Sequence, residues 1–569
     1  MKSLILMINR NKKILYQALK YDPFLFCMQI INIIFNTFIV ITNILSQKYL
    51  INIIKVGYIQ NLLYLLSIVA IVNVGYHIFY LKFTPFLQLR TEKMNVKIID
   101  NFLKKNISLN IDYFEQNNSY NNYQLAFNNC CSIFHKSINS FLTVFSSLLQ
   151  IISYAFILMW INKIIFVFMI LIIIVQTLIA NNVKKIQYIL QKNLIKENKQ
   201  VNFLYRLFYI PQFLREVRIN NLKKFIFNKK NESCQRILET IYSNNKKISK
   251  INFVQNLINV IENFFLLLYF SIQVIKGKIW FDSLFVSINS YNGLKGAFSN
   301  FISVINNIYE NDLYIQAYME FMNEVNDEIS GNIRISAEKI KNIEFKNVYF
   351  KYLNANQYIL KDVSFNIKKG EKVGIYGSNG AGKTTMIKLL LRLYTPTSGE
   401  ILLNGLDICK YNIQDIRNSF SVLSQDYTIF PFTIKENLLL GRTVGTNYIN
   451  EVLKKFQIFD KINSLDEKLN TPITNQLLDK GIELSGGENQ KLALVRTYLR
   501  NNIFILDEPT TSLDNSISEN IVDSFINKNE NILIIISHKH DILCKMSKII
   551  FLDKGSVTKI EESPYENKR

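Results

Sequence analysis

Nine residues in the C-terminal half, Gly377-Ser378-Asn379-Gly380-Ala381-Gly382-Lys383-Thr384-Thr385, fit the P-loop pattern G-x4-G-K-[ST]. Its glycines let backbone N–H groups close around phosphate oxygens, and the start of the following helix adds positive potential there. Lys383 is placed to contact β- and γ-phosphates, and Thr384 to set its hydroxyl on Mg²⁺. Downstream, Ile503-Phe504-Ile505-Leu506-Asp507-Glu508 is an apolar run that ends in two carboxylates. Asp507 is the expected Mg²⁺ holder, through water. Glu508, one residue further, is suited to orient or deprotonate an attacking water. A further apolar run, Ile532–Ile536, ends in Ser537-His538, where a histidine at a strand edge can reach a γ-phosphate.

Such groups need strands to carry them. Alternation in Ile343-Glu344-Phe345-Lys346-Asn347-Val348 predicts one strand, and Lys372–Tyr376 another, directly before the P-loop. Met386–Leu393 has the spacing of an amphipathic helix. This strand–loop–helix setting is what the P-loop requires. The sequence changes character near Ile333, so the expected division is 1–332 and 333–569.

The first part is of another kind. The chain is 49% hydrophobic and 19% charged, too apolar for a wholly soluble protein and too charged for a wholly embedded one. Apolar runs occur at Phe24–Leu45, Leu62–Leu81, Phe141–Ile161, Ile164–Ala180, Val254–Ile275 and, less purely, Trp280–Ile308. Each is near or above the ~17–25 residues a helix needs to cross hydrocarbon. Only Asn162 and Lys163 join the third and fourth, which makes them a helical hairpin. The predicted fold class is an α-helical polytopic membrane domain of about six transmembrane helices, followed by an α/β P-loop NTPase cassette.

Loop charge predicts the orientation. The N-terminal segment and the loops Phe83–Ile138 and Asn181–Lys250 carry 27 Lys and Arg together, against five on the opposite side: Lys48, Lys55, Lys163, Lys276 and Lys278. By the positive-inside rule the N-terminus, both long loops and the cassette face the cytoplasm. Much of the net charge of +22 is thus a topology signal, and a nucleic-acid partner is not expected. Both long loops keep helical apolar spacing, as in Ile186, Leu190 and Leu194. The spans should therefore continue into the cytosol and turn at short cross-helices. The six cysteines form no C-x-x-C pair, so neither a disulfide framework nor a zinc site is expected. The first apolar run is too long for a cleavable signal peptide and lacks a small-residue cleavage site. Glu262 and Lys295 fall inside the fifth and sixth runs, at depths that differ by about 4–5 Å when counted from the turn near Gly277. A pair, or separate water-filled vestibules, would each explain charge at that depth.

Leu484-Ser485-Gly486-Gly487-Glu488-Asn489-Gln490 resembles the signature motif of ABC transporters, with Glu488 where the family more often has Gln. The P-loop, this signature and the Asp507-Glu508 strand stand in that family's order. Tyr352 resembles the aromatic that stacks on adenine. Gln425 resembles the Q-loop glutamine, a catalytic and Mg²⁺-contacting position. Ser512-Leu513-Asp514 resembles the D-loop, and His538 the switch histidine. The membrane half is similar to the family's six-helix exporter subunits. The resemblance implies that Gly377–Thr385 and Tyr352 of one subunit bind ATP while Ser485, Gly486, Gly487 and Asp514 of a second half-transporter, identical or not, close the site. It also implies that the loops carry coupling helices, near Glu115–Tyr123 and Tyr209–Val217. The implied activity is ATP-driven export of a peptide, lipid or drug-like substrate across the cytoplasmic membrane, with a lean toward bacterial peptide export. An importer on the same scaffold is one alternative, and a companion binding protein would mark it. An ATP-gated regulator or channel is the other, and the intact Glu508 and His538 speak against it. Only about 23 residues precede the first run, so no leader-cleaving peptidase domain is expected there.

Overall fold

The computed structural model describes residues 2–161, scattered positions between 176 and 200, and residues 201–562 apart from 278–279, 325–329, 354, 475–480, 501, 512, 514 and 529–531; within the first stretch 57–58 are also excepted. The described chain forms two compact units, Met1–Ile107 with Asn121–Glu324, and Ser108–Tyr120 with Val325–Arg569. The sequence boundary at 332/333 falls inside the second unit, and the short segment 108–120 belongs there as well.

The first unit is built of long helices: α1 (Lys2–Tyr21), α2 (Pro23–Val56), α3 (Ile59–Ser108), then after a short α4 (Ile111–Glu115) come α5 (Asn117–Ile161), α6 (Pro211–Ile219), α7 (Lys223–Ile275) and α8 (Phe281–Met322). Asp22 ends α1 and caps α2: its carboxylate accepts the Leu25 N–H at 3.0 Å, with Pro23 at the first helical position. α7 has 53 residues. At 1.5 Å per residue that is about 80 Å, far more than the ~30 Å of hydrocarbon a span must cross, so the helix runs on well beyond a bilayer.

Among the described residues four helices are long and apolar enough to cross a membrane, within Pro23–Ile51, Ile59–Ser108, Asn122–Trp160 and Lys223–Ile275. The most apolar stretch of α3 has none of its residues buried within the chain. Leu63, Ile71 and Leu81 stand exposed on it, a surface only lipid or another chain can cover. The expected run Ile164–Ala180 lies almost wholly outside the described residues. The run Trp280–Ile308 is one helix, α8, made more polar by Asn289, Asn292, Lys295 and Asn300. Two buried polar groups tie α1 to the bundle. The Arg10 guanidinium donates to both oxygens of Asp312 at 2.6 and 2.7 Å, and Asn311 donates to Asn11 and Ser137 at 3.1 and 2.9 Å. Asp312 is 1% exposed, so Arg10 is what makes its ionised burial tolerable.

The cross-helices differ slightly from expectation. The first is α4, Ile111–Glu115, a few residues before the predicted Glu115–Tyr123. Asn110 and Gln116 are both extended, at ψ 145° and 122°, and so break the chain on either side of it. The second is α6, where extended Ile210 and Pro211 at the first helical position set the start, close to the predicted Tyr209–Val217.

The second unit holds two sheets. The smaller has order β2-β1-β4-β5, from β1 (Asn342–Phe350), β2 (Leu360–Lys368), β4 (Ser398–Leu403) and β5 (Leu406–Asp407), all antiparallel. The larger has order β10-β9-β3-β8-β7-β6, from β3 (Lys372–Gly377), β6 (Phe420–Leu423), β7 (Ile503–Asp507), β8 (Leu533–Ile536), β9 (Lys548–Asp553) and β10 (Ser556–Glu562). Its pairs β3–β9, β3–β8, β8–β7 and β7–β6 are parallel. Every residue of β7 and β8 is buried, as expected of apolar runs in a parallel sheet covered on both faces. The order β3-β8-β7-β6 sets four strand ends side by side on one edge, which gathers the P-loop, Ser537-His538, Asp507-Glu508 and Gln425. Crevices at the carboxyl edge of such sheets are where ligands bind.

Candidate functional site

The P-loop leaves β3 at Gly377 and enters α9 (Lys383–Leu390). Gly382 caps that helix with φ +101°, and a Cβ there would lie 2.6 Å from the Leu360 side chain. Only glycine fits both constraints. Lys383 folds back on its own loop, donating to the carbonyls of Gly377 at 2.7 Å and Ser378 at 3.0 Å, and lies 3.2 Å from His538 Nε2. Burial lowers its pKa, opposed by Glu508 and Asp507. It is a partly desolvated cation with weak local partners, suited to move onto a phosphate.

Thr384 donates its hydroxyl to Asp507 Oδ2 at 2.9 Å. Asp507 is 3% exposed, and burial raises its pKa, with the Thr384 hydrogen bond opposing. A buried carboxylate beside a hydroxyl is a hard-oxygen pair that a divalent cation would relieve, so the residues present fit Mg²⁺. Glu508 follows at φ +50°, left-handed backbone that costs a non-glycine residue about 1 kcal/mol or more. Its N–H donates to the Ile536 carbonyl at 3.0 Å and its own carbonyl receives Gln490 Nε2 at 3.5 Å. The side chain reaches to 3.4 Å of His538 Nε2. That nitrogen can accept from Lys383 or donate to Glu508, not both, so the position of Lys383 sets the histidine's role.

Tyr352 stands just past β1, half-buried, with its hydroxyl 3.4 Å from Thr385 Oγ1 and its ring edge-on to Phe350 and Tyr394. Gln425 lies exposed two residues beyond β6. Next to it is a groove of about 250 Å³ lined by Ser424, Asp426, Tyr427, Thr428, Arg496 and Arg500 among others. Burial, with Arg442 and Arg496 nearby, lowers Arg500 to about 10.

Ser485 begins the signature helix α10 (Gly486–Tyr498) as its cap. Its hydroxyl accepts the Glu488 N–H at 3.3 Å, and Glu488 accepts the Ser485 N–H at 2.8 Å. This reciprocal capping box is served by Glu or Gln, so Glu488 keeps the cap where the family more often has Gln. The Ser485 N–H holds Glu488 below the usual carboxylate range, so its contribution is present at neutral pH and fades as pH falls through that range. Glu488→Gln keeps the box but loses the charge and should cost less than Glu488→Ala, which should cost about 1 kcal/mol, both read as lowered unfolding midpoints at neutral pH. Among the described residues no hydrogen bond or ion pair joins Ser485, Gly486 or Gly487 to the P-loop. Ser485 and Gly486 are exposed. The predicted Asp514, with Ser512, lies outside the described residues.

A second cluster lies in the first unit. Lys295 Nζ donates to Glu262 Oε2 at 2.9 Å and to Asn259 Oδ1 at 2.8 Å, and Gln176 Nε2 donates to the same two oxygens at 2.5 and 3.0 Å. Glu262 and Lys295 therefore form the pair rather than facing separate vestibules. The Glu262 side chain is only 3% exposed and that of Lys295 23%. Asn259 and Gln176 were not singled out from sequence. Asparagine is frequent throughout this chain, so their polarity carried no signal there.

The family profile of ABC transporters matches residues 360–511. Over 476 residues the chain is 27% identical to the subtilin transport ATP-binding protein of Bacillus subtilis, covering 82% of this chain and 76% of the relative. Over 479 residues it is 25% identical to the nisin transport ATP-binding protein of Lactococcus lactis, covering 82% and 78%. A solved bacterial Atm1-family ABC exporter with ATP bound superposes with TM-score 0.78 at 18% identity, covering 95% of this chain and 94% of that one. Residues 360–511 form an ABC transporter domain, and along most of its length the chain is similar to ABC export proteins. The ABC domain gives it ATP binding, and its spans make it a multi-pass membrane protein. The structural likeness identifies the fold: a helical membrane domain followed by an α/β cassette.

Proposed function

We propose that this chain is an exporter-type ABC half-transporter that hydrolyses ATP at two sites of a dimer and uses the cycle to export a substrate across the cytoplasmic membrane, with its N-terminus and cassette in the cytoplasm. The convergence of Lys383, Thr384, Asp507, Glu508 and His538 at one sheet edge carries the reading. In it, Gly377–Thr385 cradle the phosphates and Lys383 leaves its own loop for the β/γ-phosphates. Thr384, Asp507 and Gln425 would hold Mg²⁺, which when bound neutralises charge on the phosphates. Glu508 accepts the proton of the attacking water, and His538, released by Lys383, steadies the γ-phosphate. The exposed Ser485 and Gly486, with Gly487 and Asp514, serve the partner's nucleotide. ATP binds better to the closed dimer than to the open one, and that difference drives the switch. The division 1–332 and 333–569 marks the transmembrane and nucleotide-binding parts.

Positive charge on the N-terminus and long loops supports the orientation. Two relatives that match most of the chain's length are named for subtilin and nisin transport, which favours cargo of that kind. The test is the purified chain in liposomes: Mg²⁺-dependent phosphate release, abolished by Lys383→Ala, is expected, and an intact chain with no turnover would overturn the proposal.

Tyr352 as adenine platform makes a separate prediction. Tyr352→Ala should weaken ATP binding by about 1–3 kcal/mol, the scale of base–aromatic stacking. Tyr352→Phe should be mild, because the ring survives and only the long contact to Thr385 is lost. Equal losses in a nucleotide-binding titration would assign the role to the hydroxyl.

A further inference from the structure

The segment 108–120 lies in sequence between the membrane helices α3 and α5, yet it packs with the cassette unit. Its helix α4 puts Ile111 against the same core that carries Tyr352 and Tyr394, and buries Tyr113. At the end of α4, Glu115 Oε1 accepts the Tyr394 hydroxyl at 2.5 Å. Tyr394 is 4% exposed. Its ring meets Tyr352 edge-on, with centroids 5.2 Å apart and planes at 86°, and meets Phe350 at 5.6 Å. Lys388 Nζ lies 5.6 Å from the Tyr352 ring and 5.7 Å from that of Tyr394, so one cation rests against both.

These contacts form a short chain of rigid groups. Tyr352 follows the end of β1 and leans on Tyr394. Tyr394 can hold one ring orientation only while its hydroxyl has a partner, because a buried phenol without one is costly. Glu115 is that partner. Burial, together with Glu115, pushes the Tyr394 phenol well above its usual range, which keeps it a donor. Burial and Glu115 also raise the pKa of Asp112 on the same helix.

We infer that Tyr394 is a positioning residue for the adenine platform and that Glu115 of α4 fixes its orientation, so that the seating of α4 and the affinity for ATP change each other. The inference rests on the proposal that Tyr352 stacks on adenine. Reciprocity follows: whatever factor the seating of α4 contributes to ATP affinity, bound ATP contributes to the seating of α4.

The test uses the full chain in lipid nanodiscs with ATP as the probe. Tyr394→Phe and Glu115→Ala should each raise KM for ATP about three- to tenfold, the worth of one hydrogen bond, with kcat within about twofold. The double variant should be no worse than the more affected single one. Glu115→Gln keeps an acceptor oxygen and should restore a near-normal KM. In wild type ATP should slow amide exchange across residues 111–115 severalfold, and in Tyr394→Phe it should not. Additive KM effects, no KM effect in either single variant, or equal exchange protection in both proteins would overturn the inference. If Tyr352→Ala raises KM while Tyr394→Phe and Glu115→Ala do not, the inference alone fails. If Tyr352→Ala leaves KM unchanged, the platform reading fails and takes the inference with it.

Discussion

Glu508→Gln should bind ATP at least as tightly as wild type and turn it over about 10²- to 10⁴-fold more slowly, the range expected when a positioned base is removed. The amide has the same shape, so the strained backbone at φ +50° and its anchors to Ile536 and Gln490 are kept. The amide cannot take the water's proton. It also removes a negative charge next to Asp507 and the phosphates, and that change favours ATP. Turnover is read as phosphate release from purified protein, and retention as nucleotide left after gel filtration. Near-normal phosphate release would remove Glu508 from the role of base.

The other large effect lies in the membrane domain. Glu262→Lys would set two ammonium groups where an ion pair now spans 2.9 Å, and Lys295→Glu two carboxylates. Removing one partner of a buried pair costs about 3–5 kcal/mol, and inverting it costs more. Each single variant should lose most folded protein on extraction, measured as the monodisperse fraction in size-exclusion chromatography. The double swap should recover much of it. Asn259 and Gln176 bracket the pair, and each amide has both a donor and an acceptor face. Turning them over would let the same four groups bond with the charges exchanged. A double variant as damaged as the sum of the singles would show that the pair is not a direct interaction.

Much of this was legible before the structure. The P-loop, the Asp507-Glu508 strand end and Ser537-His538 were readable because short β-branched apolar runs ending in polar residues fit buried strands, and chemistry at their ends is local in sequence. Counting helix rise on either side of Gly277, which the structure gives φ +68° just past the end of α7, put Glu262 and Lys295 at similar depth but left pairing and separate vestibules open; the 2.9 Å contact decides for the pair. What sequence could not supply were contacts between remote segments. Tyr394 and Glu115 are 279 residues apart, and neither belongs to a motif. Cross-helix boundaries were missed by several residues at α4 because the break is a backbone matter, an extended Asn110 with no proline or glycine to announce it. The capping box at Ser485 was visible as S-x-x-E, but its catalytic-motif reading hid the structural one.

Disulfide trapping in liposomes tests most directly whether a second subunit completes the nucleotide site. The chain would carry Asn379→Cys in the P-loop and Ser485→Cys in the signature, both exposed positions, with the native cysteines replaced by serine and Glu508→Gln to hold the closed state. With ATP and Mg²⁺, oxidation should yield a covalent dimer within minutes. The dimer should be weak or absent with ADP, and absent in the same chain carrying Lys383→Ala. A cross-link of equal yield with and without ATP, or none under any condition, would contradict the account.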